Sequence, residues 1–272
     1  MRKSGQKITG DGLTSWVQLR SSIPTGVGQL IGIAGLLPTV SGGLPAAFVE
    51  DVQIKCVHID TNAGTNDNGI GGSMCKGIKV RDCYFTNIGR KAVTWQYHVH
   101  NNSCLDSTIF SASMEAGGTQ SAISTEGENS SITYANGVAG FDWDGDDNTN
   151  NTFQNIEITQ SGYSGITISN AKRTFCDNIR MTTLGALGRP VIVGRVSKDN
   201  TFRGVKVKTS TRGFLIVTSA TTISTRFEDC WIESCSGDNM MYSEGPGPSS
   251  GTAAERRPTI ERLGRSGVPI AR

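Results

Sequence analysis

The richest acidic stretch of the sequence is FDWDGDD, at positions 141–147. Cleavage of a glycosidic bond requires one carboxyl group as the proton donor and a second as the base or nucleophile. Asp142 and Asp144 are two residues apart, so on a β-strand both would point outward, roughly 6.6 Å apart. The segment ISTE, which ends at Glu126, resembles the preceding copy of that strand and would place Glu126 about 4.8 Å from Asp144. These separations suit hydrolysis with retention or inversion, so Glu126, Asp142 and Asp144 are candidate catalytic residues and Asp147 is a reserve candidate.

The same acidic stretch has two other interpretations, a cation site and a solvated turn. An EF-hand loop is excluded because the glycine stands at the fourth position and not at the sixth. His98 and His100 would share one face of a strand, but the sequence supplies no third histidine nearby, so we expect outward polar side chains and no metal site. Phosphate-binding, nucleophile-elbow, zinc-protease and dinucleotide motifs are missing, and the sequence therefore implies no cofactor.

The elements that must position these residues form a repeat. Each copy starts with a small residue and a short strand in which apolar and polar residues alternate. A polar turn, often with Asn, follows, and then an aromatic residue that stands three residues before a second strand of the same alternating kind. The steps from Ile156 to Ile179, to Val205 and to Cys230 are 23, 26 and 25 residues. One copy is too small to bury its own apolar row, whereas stacked copies make a continuous core.

The repeat therefore predicts an all-β fold, a right-handed parallel β-helix of roughly eight turns over residues 45–244. Alternation predicts that one set of side chains points inward: Phe141, Trp143, Phe153, Ile166, Ile168, Phe202 and Phe227. It predicts that another set points outward: Asp142, Asp144, Thr167 and Ser169. Asn residues at the turns should accept left-handed backbone and hydrogen bond to the neighbouring turn. A leucine-rich repeat or a β-sandwich would not produce this pattern.

Composition narrows the function classes. A net charge of +2, from 26 basic and 24 acidic residues, gives no general attraction to nucleic acid or to a membrane. The first residues contain no apolar core of a secretory signal. The seven cysteines form no CxxC pair, and we expect them to be buried free thiols in a protein made in a reducing cytoplasm.

The N-terminal region resembles a known family. GDGLT at 10–14 and IPTGVGQLIGIAG at 23–35 look like the opening of the pectate-lyase-type β-helix of phage tailspikes. The resemblance implies a short capping helix that starts at Thr14 or Ser15 and carries Trp16, Val17 and Leu19 as its apolar face, within a cap and first strand over residues 1–44. The sequence departs from the family pattern where Ser15-Trp16 replaces an acidic pair, and only nine residues precede the motif.

The resemblance implies that the chain is a tailspike- or tail-fibre-like protein of the phage virion, assembled in the host cytoplasm. Such proteins are homotrimers that bind, and in some cases depolymerise, a bacterial surface polysaccharide, and that contact other virion tail proteins. A polysaccharide depolymerase would be a glycoside hydrolase or a lyase. The alternative is a non-catalytic structural or adhesive virion component, and a secreted polysaccharide lyase is less favoured.

Residues 245–272 change in character, with four prolines, several arginines and no strand alternation. They are typical of an extended C-terminal arm, which is either a disordered tail or a segment that pairs with a neighbouring subunit. Just before this segment, alternation places Phe214 and Ile216 in the core and leaves Leu215 and Val217 pointing outward. Outward apolar side chains favour association between subunits.

Overall fold

Short strands stack in parallel along the chain. The computed structural model describes residues 1, 3–18, 28–62, 67–114, 120–143, 145–194, 196–217, 224–236, 241–244, 259–260 and 263–265. Every pairing between its named strands is parallel. The chain forms a parallel β-solenoid, in agreement with the repeat in its sequence.

The strands follow one another in chain order, and two longer described segments interrupt them, before β4 and before β15. Those of the first half are β1 (Lys7–Thr9), β2 (Trp16–Gln18), β3 (Gly28–Ala34), β4 (Val49–Glu50), β5 (Gln53–Lys55), β6 (His58–Asp60), β7 (Asp67–Ser73), β8 (Cys75–Lys76), β9 (Lys79–Arg81), β10 (Tyr84–Thr86), β11 (Val93–Gln96), β12 (Val99–His100) and β13 (Ser103–Ile109). Those of the second half are β14 (Ser121–Glu126), β15 (Asn148–Thr149), β16 (Thr152–Ser161), β17 (Ser164–Ser169), β18 (Phe175–Leu184), β19 (Val191–Gly194), β20 (Thr201–Arg203), β21 (Lys206–Ser210), β22 (Phe214–Val217), β23 (Arg226–Glu228), β24 (Cys230–Cys235), β25 (Met241–Glu244), β26 (Thr259–Ile260) and β27 (Leu263–Arg265).

The strands lie in three sheets, which are the faces of the solenoid. The first sheet has 15 strands, because most turns contribute either two short strands or one long strand such as β13, β16 or β18. The second sheet has eight strands, from β3 to β25, and the third has four, from β4 to β15. Isolated parallel bridges from Thr149 to Lys172 and from Lys172 to Lys198 continue the third face.

The core is built from columns of inward side chains that share one register. Phe153, Phe202 and Phe227 are fully buried, as predicted, and so are Ile166 and Ile168. Phe202 lies directly beside Phe227 in the pairing of β20 with β23, and their rings stack at 4.9 Å. Each turn therefore buries its apolar row against the turns above and below it, which is the source of stability in a solenoid.

Asparagines stabilise the turns in the two ways that the sequence indicates. Asn101 and Asn150 have positive φ angles, which Asn tolerates better than most residues. The buried Asn102 and Asn151 form a ladder, in which the Asn151 Oδ1 accepts the Asn102 backbone N–H at 3.1 Å and the Asn102 Oδ1 accepts that of Ile78 at 2.9 Å. These bonds satisfy buried backbone groups between successive turns.

The N-terminal capping helix predicted from the family resemblance is wrong. The structure has only a 3₁₀ turn at Gly12–Thr14, and Trp16–Gln18 is a strand that pairs with β6. The segment alternates with a period of two, and the Trp16 ring stacks on His58 at 3.6 Å while Val17 packs against the core. Leu19, the third residue of the predicted apolar face, lies outside the described residues.

Within the part of the chain that the structure describes, no helix is long and apolar enough to cross a membrane.

The end of the solenoid extends into the segment predicted as a C-terminal arm. Within 245–272 the structure describes Thr259–Ile260 and Leu263–Arg265, which pair in parallel with β23 and β24. The remainder of that segment lies outside the described residues. Phe214 and Ile216 are buried and Leu215 is half-buried, as alternation predicts, whereas the side chain of Val217 is not among those described.

All seven cysteines are free thiols, as the sequence predicts. Six are buried, and only Cys56 is half-buried. Burial raises the pKa of the Cys83 thiol and of the Cys230 thiol to about 11, so both stay protonated and unreactive near neutral pH. These cysteines therefore act as small apolar residues of the core.

Candidate functional site

The acidic stretch lies in a loop and not in a strand of the solenoid. Residues 127–147, the excursion loop, leave the solenoid after β14 and return at β15. The loop contains a small hairpin with an antiparallel bridge from Thr133 to Ala139. It packs on the loop before β4, where Ser41 Oγ donates to the Gly140 carbonyl at 3.2 Å and Asn136 Nδ2 donates to the Pro38 carbonyl at 2.8 Å.

This placement overturns the predicted strand at 141–144. Phe141 is 46 % exposed and Trp143 is half-buried, so neither fills the core. Strand β14 already lies between β11 and β17, and Glu126 pairs with Gln96 on one side and with Ser169 on the other. Glu126 therefore does not stack on a strand at 141–144 as predicted, and Asp144, its predicted neighbour, lies outside the described residues. The loop imitates a repeat because it also follows a small residue with alternating aromatic and polar residues.

Glu126 is held at the end of β14 by two partners. It forms an ion pair with Lys91, and Gln96 Nε2 donates to its Oε2 at 3.1 Å. Burial raises the pKa of the Glu126 carboxyl, but the Lys91 charge and the hydrogen bonds outweigh burial and lower the pKa overall. Glu126 is therefore an ionised, paired group, which suits a structural or substrate-binding role better than proton donation.

Asp142 is the exposed member of the predicted set. Its carboxylate accepts the Ser130 backbone N–H at 3.0 Å and the Ser130 hydroxyl at 2.8 Å. Both bonds lie within the excursion loop and join the segments on either side of its hairpin. The catalytic role assigned to Asp142 from the sequence stays a prediction.

Asp147 is buried at the end of the loop, next to Glu128, which sequence reasoning missed, and to His98, for which it predicted an outward position. It is 3 % exposed, and its Oδ2 accepts the Glu128 backbone N–H at 2.6 Å. The His98 ring and the Glu128 carboxylate are each 1 % exposed, and His98 Nε2 lies 2.6 Å from Glu128 Oε2. His98 does not point outward from a strand as predicted, because Tyr97 and His98 both have positive φ angles that interrupt the alternation.

Burial dominates the electrostatics of this cluster. It raises the pKa of Asp147 to about 7, with a further rise from the Glu128 charge, while hydrogen bonds from the Glu128 and His98 backbone N–H groups oppose the change. Burial lowers the pKa of His98 against the pull of the Glu128 charge. A polymer in solvent cannot reach groups buried to this extent, so the cluster is placed for an internal function.

The first sheet offers a different feature, a line of side chains that we call the axial stripe; every member but His58, which is buried beneath Trp16, has some exposed surface. Its members pair in one register from turn to turn: Trp16, His58, Tyr84, Thr108, Glu157, Arg180, Lys206 and Trp231. At about 4.8 Å per turn the stripe is roughly 34 Å long. The stripe could have been predicted from the sequence, because Glu157, Arg180 and Trp231 directly follow Ile156, Ile179 and Cys230, the residues whose spacing defines the repeat.

The two ends of the axial stripe differ in chemistry. At the N-terminal end, aromatic rings follow one another, with Trp16 53 % exposed over His58 and Phe110 stacked beside Tyr84 at 6.3 Å. At the C-terminal end there is a shallow cleft of about 200 Å³. Charged and polar side chains line it together with one indole: Glu157, Arg180, Thr182, Lys206, Lys208, Trp231 and Glu233.

The predicted catalytic carboxylates that the structure describes do not share a face with this stripe. Glu126 belongs to the second sheet, Asp142 lies in the excursion loop and Asp147 is buried beneath that loop. A search of family models, curated proteins and solved structures finds no significant match to this chain.

Proposed function

We propose that this protein is a tailspike-like virion component, a right-handed parallel β-helix that binds a bacterial surface polysaccharide along the axial stripe. The observation that carries the proposal is the register of the stripe, which sets one side chain per turn on a single line, aromatic or charged at every member except Thr108. A linear polymer also repeats along one direction, so successive sugar units can meet successive turns of the solenoid. Right-handedness is supported by the strong preference of parallel β crossovers for that sense.

The chemistry of the stripe suits a sugar chain. The exposed indole of Trp16 and the half-buried indole of Trp231 offer flat apolar faces for the C–H face of a sugar, together with a polar N–H edge. Arg180 and Lys206 can bind hydroxyl groups or the carboxylates of an acidic polymer, and Glu157 can accept hydrogen bonds from hydroxyls. Cleavage of the polymer by Glu126, Asp142, Asp144 and Asp147 stays a prediction from the sequence, so the proposal is a binding function.

Assembly into a homotrimer belongs to the same proposal. It is supported by outward apolar residues on the second sheet, where the half-buried Ile192 and Leu215 lie in register on neighbouring strands. Light scattering coupled to size-exclusion chromatography should give a mass about three times the chain mass of 28.9 kDa. A single species of one chain mass at micromolar concentration would contradict the trimer. Contact with other virion tail proteins rests on the family resemblance alone.

The proposed binding is tested with immobilised, purified capsular and O-antigen polysaccharides that include acidic members. We expect the wild-type protein to bind at least one acidic polymer, because Arg180 and Lys206 lie side by side on the stripe. The double variant Arg180→Glu, Lys206→Glu should reduce that binding by tenfold or more, since it replaces attraction by repulsion. Lys79→Glu is the matched control, because Lys79 is an exposed lysine of β9 that is not part of the stripe. Equal binding by all proteins, or binding to none of the polymers, would contradict the proposal.

A further inference from the structure

We propose that His98, Glu128 and Asp147 form a binding site for a divalent transition-metal ion, with Zn²⁺ as the preferred ion, which fastens the excursion loop to the solenoid. The three side chains come from three places in the chain. His98 lies in the turn before β12, Glu128 starts the loop and Asp147 ends it. One ion would therefore join both ends of the loop to the neighbouring turn.

The ligand atoms already converge. One nitrogen of His98 and one carboxylate oxygen from each of Glu128 and Asp147 all lie within 4.8 Å of one another, and all three residues are buried. His98 Nε2 and Glu128 Oε2 are 2.6 Å apart. Small side-chain rotations are enough to place three such atoms around one ion, because metal–ligand bonds of about 2.0–2.2 Å hold ligand atoms roughly 3 Å apart.

A second observation is that one carboxylate oxygen of Asp147 has no hydrogen-bond partner. Its Oδ2 accepts the backbone N–H groups of Glu128 and His98, whereas its Oδ1 is buried and accepts no hydrogen bond. Buried carboxylate oxygens are almost always hydrogen-bonded or coordinated to a cation. The free Oδ1 is the oxygen that would coordinate the metal ion.

The charge balance also favours a cation. The carboxylates of Glu128 and Asp147 lie within 4.8 Å of each other in a buried position, and within the described ranges neither forms an ion pair with Lys or Arg. Glu126, two residues from Glu128, has Lys91 as its partner. A divalent ion would supply at the buried cluster the positive charge that Lys91 supplies at Glu126.

The surroundings of Glu128 resemble the outer shell of a metal site. Its Oε1 accepts the Phe141 backbone N–H at 2.7 Å and its Oε2 accepts the Trp143 Nε1–H at 3.1 Å. Such bonds orient a carboxylate ligand. The Tyr134 hydroxyl is a further buried neighbour of Glu128. An imidazole nitrogen among the ligands favours Zn²⁺ over Mg²⁺ and Ca²⁺, which prefer all-oxygen sites.

The test uses the whole protein, stripped with a chelator and then titrated with ZnCl₂. We expect one Zn²⁺ per chain by elemental analysis after dialysis, a higher thermal midpoint with Zn²⁺, and slower hydrogen exchange at residues 127–147. MgCl₂ should produce neither change. His98→Gln and Asp147→Asn should each weaken Zn²⁺ binding by about 100-fold or more, since loss of an outer-shell partner alone costs about 10–100-fold.

The matched control is His100→Gln, which removes the other histidine of the same strand region, one that is hydrogen-bonded to Thr149 and is not part of the cluster. It should bind Zn²⁺ as the wild type does. The proposal is overturned if the wild type retains no Zn²⁺, or if His98→Gln and His100→Gln bind it equally. If a variant at the cluster fails to fold, the hydrogen-exchange comparison of wild-type protein with and without ZnCl₂ decides the question alone. None of these readouts depends on polysaccharide binding.

Discussion

Replacing Phe202 with alanine should lower the free energy of unfolding by about 3–5 kcal/mol, the usual cost of removing a buried aromatic ring. Phe202 has no exposed surface and stacks on Phe227 at 4.9 Å, with Cys176 on its other side in the same column. The cavity cannot close easily, because the backbone register fixes the distance between turns. Urea unfolding followed by circular dichroism measures the change.

The control is the same substitution at the surface. Phe110 is 37 % exposed and its ring lies beside that of Tyr84 at the surface, so Phe110→Ala should cost much less, about 1 kcal/mol or below. If Phe110→Ala destabilised the protein as much as Phe202→Ala, the predicted division between core and surface would be wrong.

Replacing Trp231 with alanine should weaken polysaccharide binding by tenfold or more, which corresponds to about 1.4 kcal/mol or more of binding free energy. Tryptophan is the residue type that most often dominates a binding surface. Trp231 lies in the cleft between charged groups, where it supplies the broad apolar face of the site. Isothermal titration calorimetry with the polymer that binds best measures the loss.

Leu187→Ala is the control for this variant. Leu187 is 61 % exposed between β18 and β19, away from the axial stripe, so its removal should leave the affinity unchanged. The thermal midpoint of both variants should stay near that of the wild type, because both side chains keep exposed surface. An unchanged affinity in Trp231→Ala would remove the cleft from the binding surface.

The sequence predicted the solenoid because its strongest signals are local and repeated. Phe153, Phe202 and Phe227 precede alternating strands at a nearly constant spacing, and stacking turns such a spacing into a column. Short segments with ambiguous periodicity were assigned less well. Trp16 to Gln18 fits either one turn of a helix or a short strand, and pairing with β6 decides for the strand.

The candidate site was harder to predict than the fold, because it depends on an interruption of the repeat. Phe141 and Trp143 imitate a strand, but tertiary contacts with Ser41 and Pro38 keep the excursion loop outside the solenoid. The burial of His98 depends on two consecutive residues with positive φ angles, which alternation cannot reveal. The axial stripe, in contrast, follows from the repeat itself. The residue that follows each inward residue of the repeat points to the other side of the strand, and stacking of the turns aligns these residues in the stripe.

The central claim is that a polymer lies along the axial stripe, and the most direct measurement is affinity against oligosaccharide length. Fragments of the bound polysaccharide, from one repeat unit upward, are titrated into the protein under identical conditions. The account predicts that affinity rises with each added unit until the fragment spans the stripe, roughly 34 Å at about 4.8 Å per turn, and then levels off. An affinity that is already maximal for the shortest fragment would contradict the claim, because it would show a single small pocket in place of an extended face.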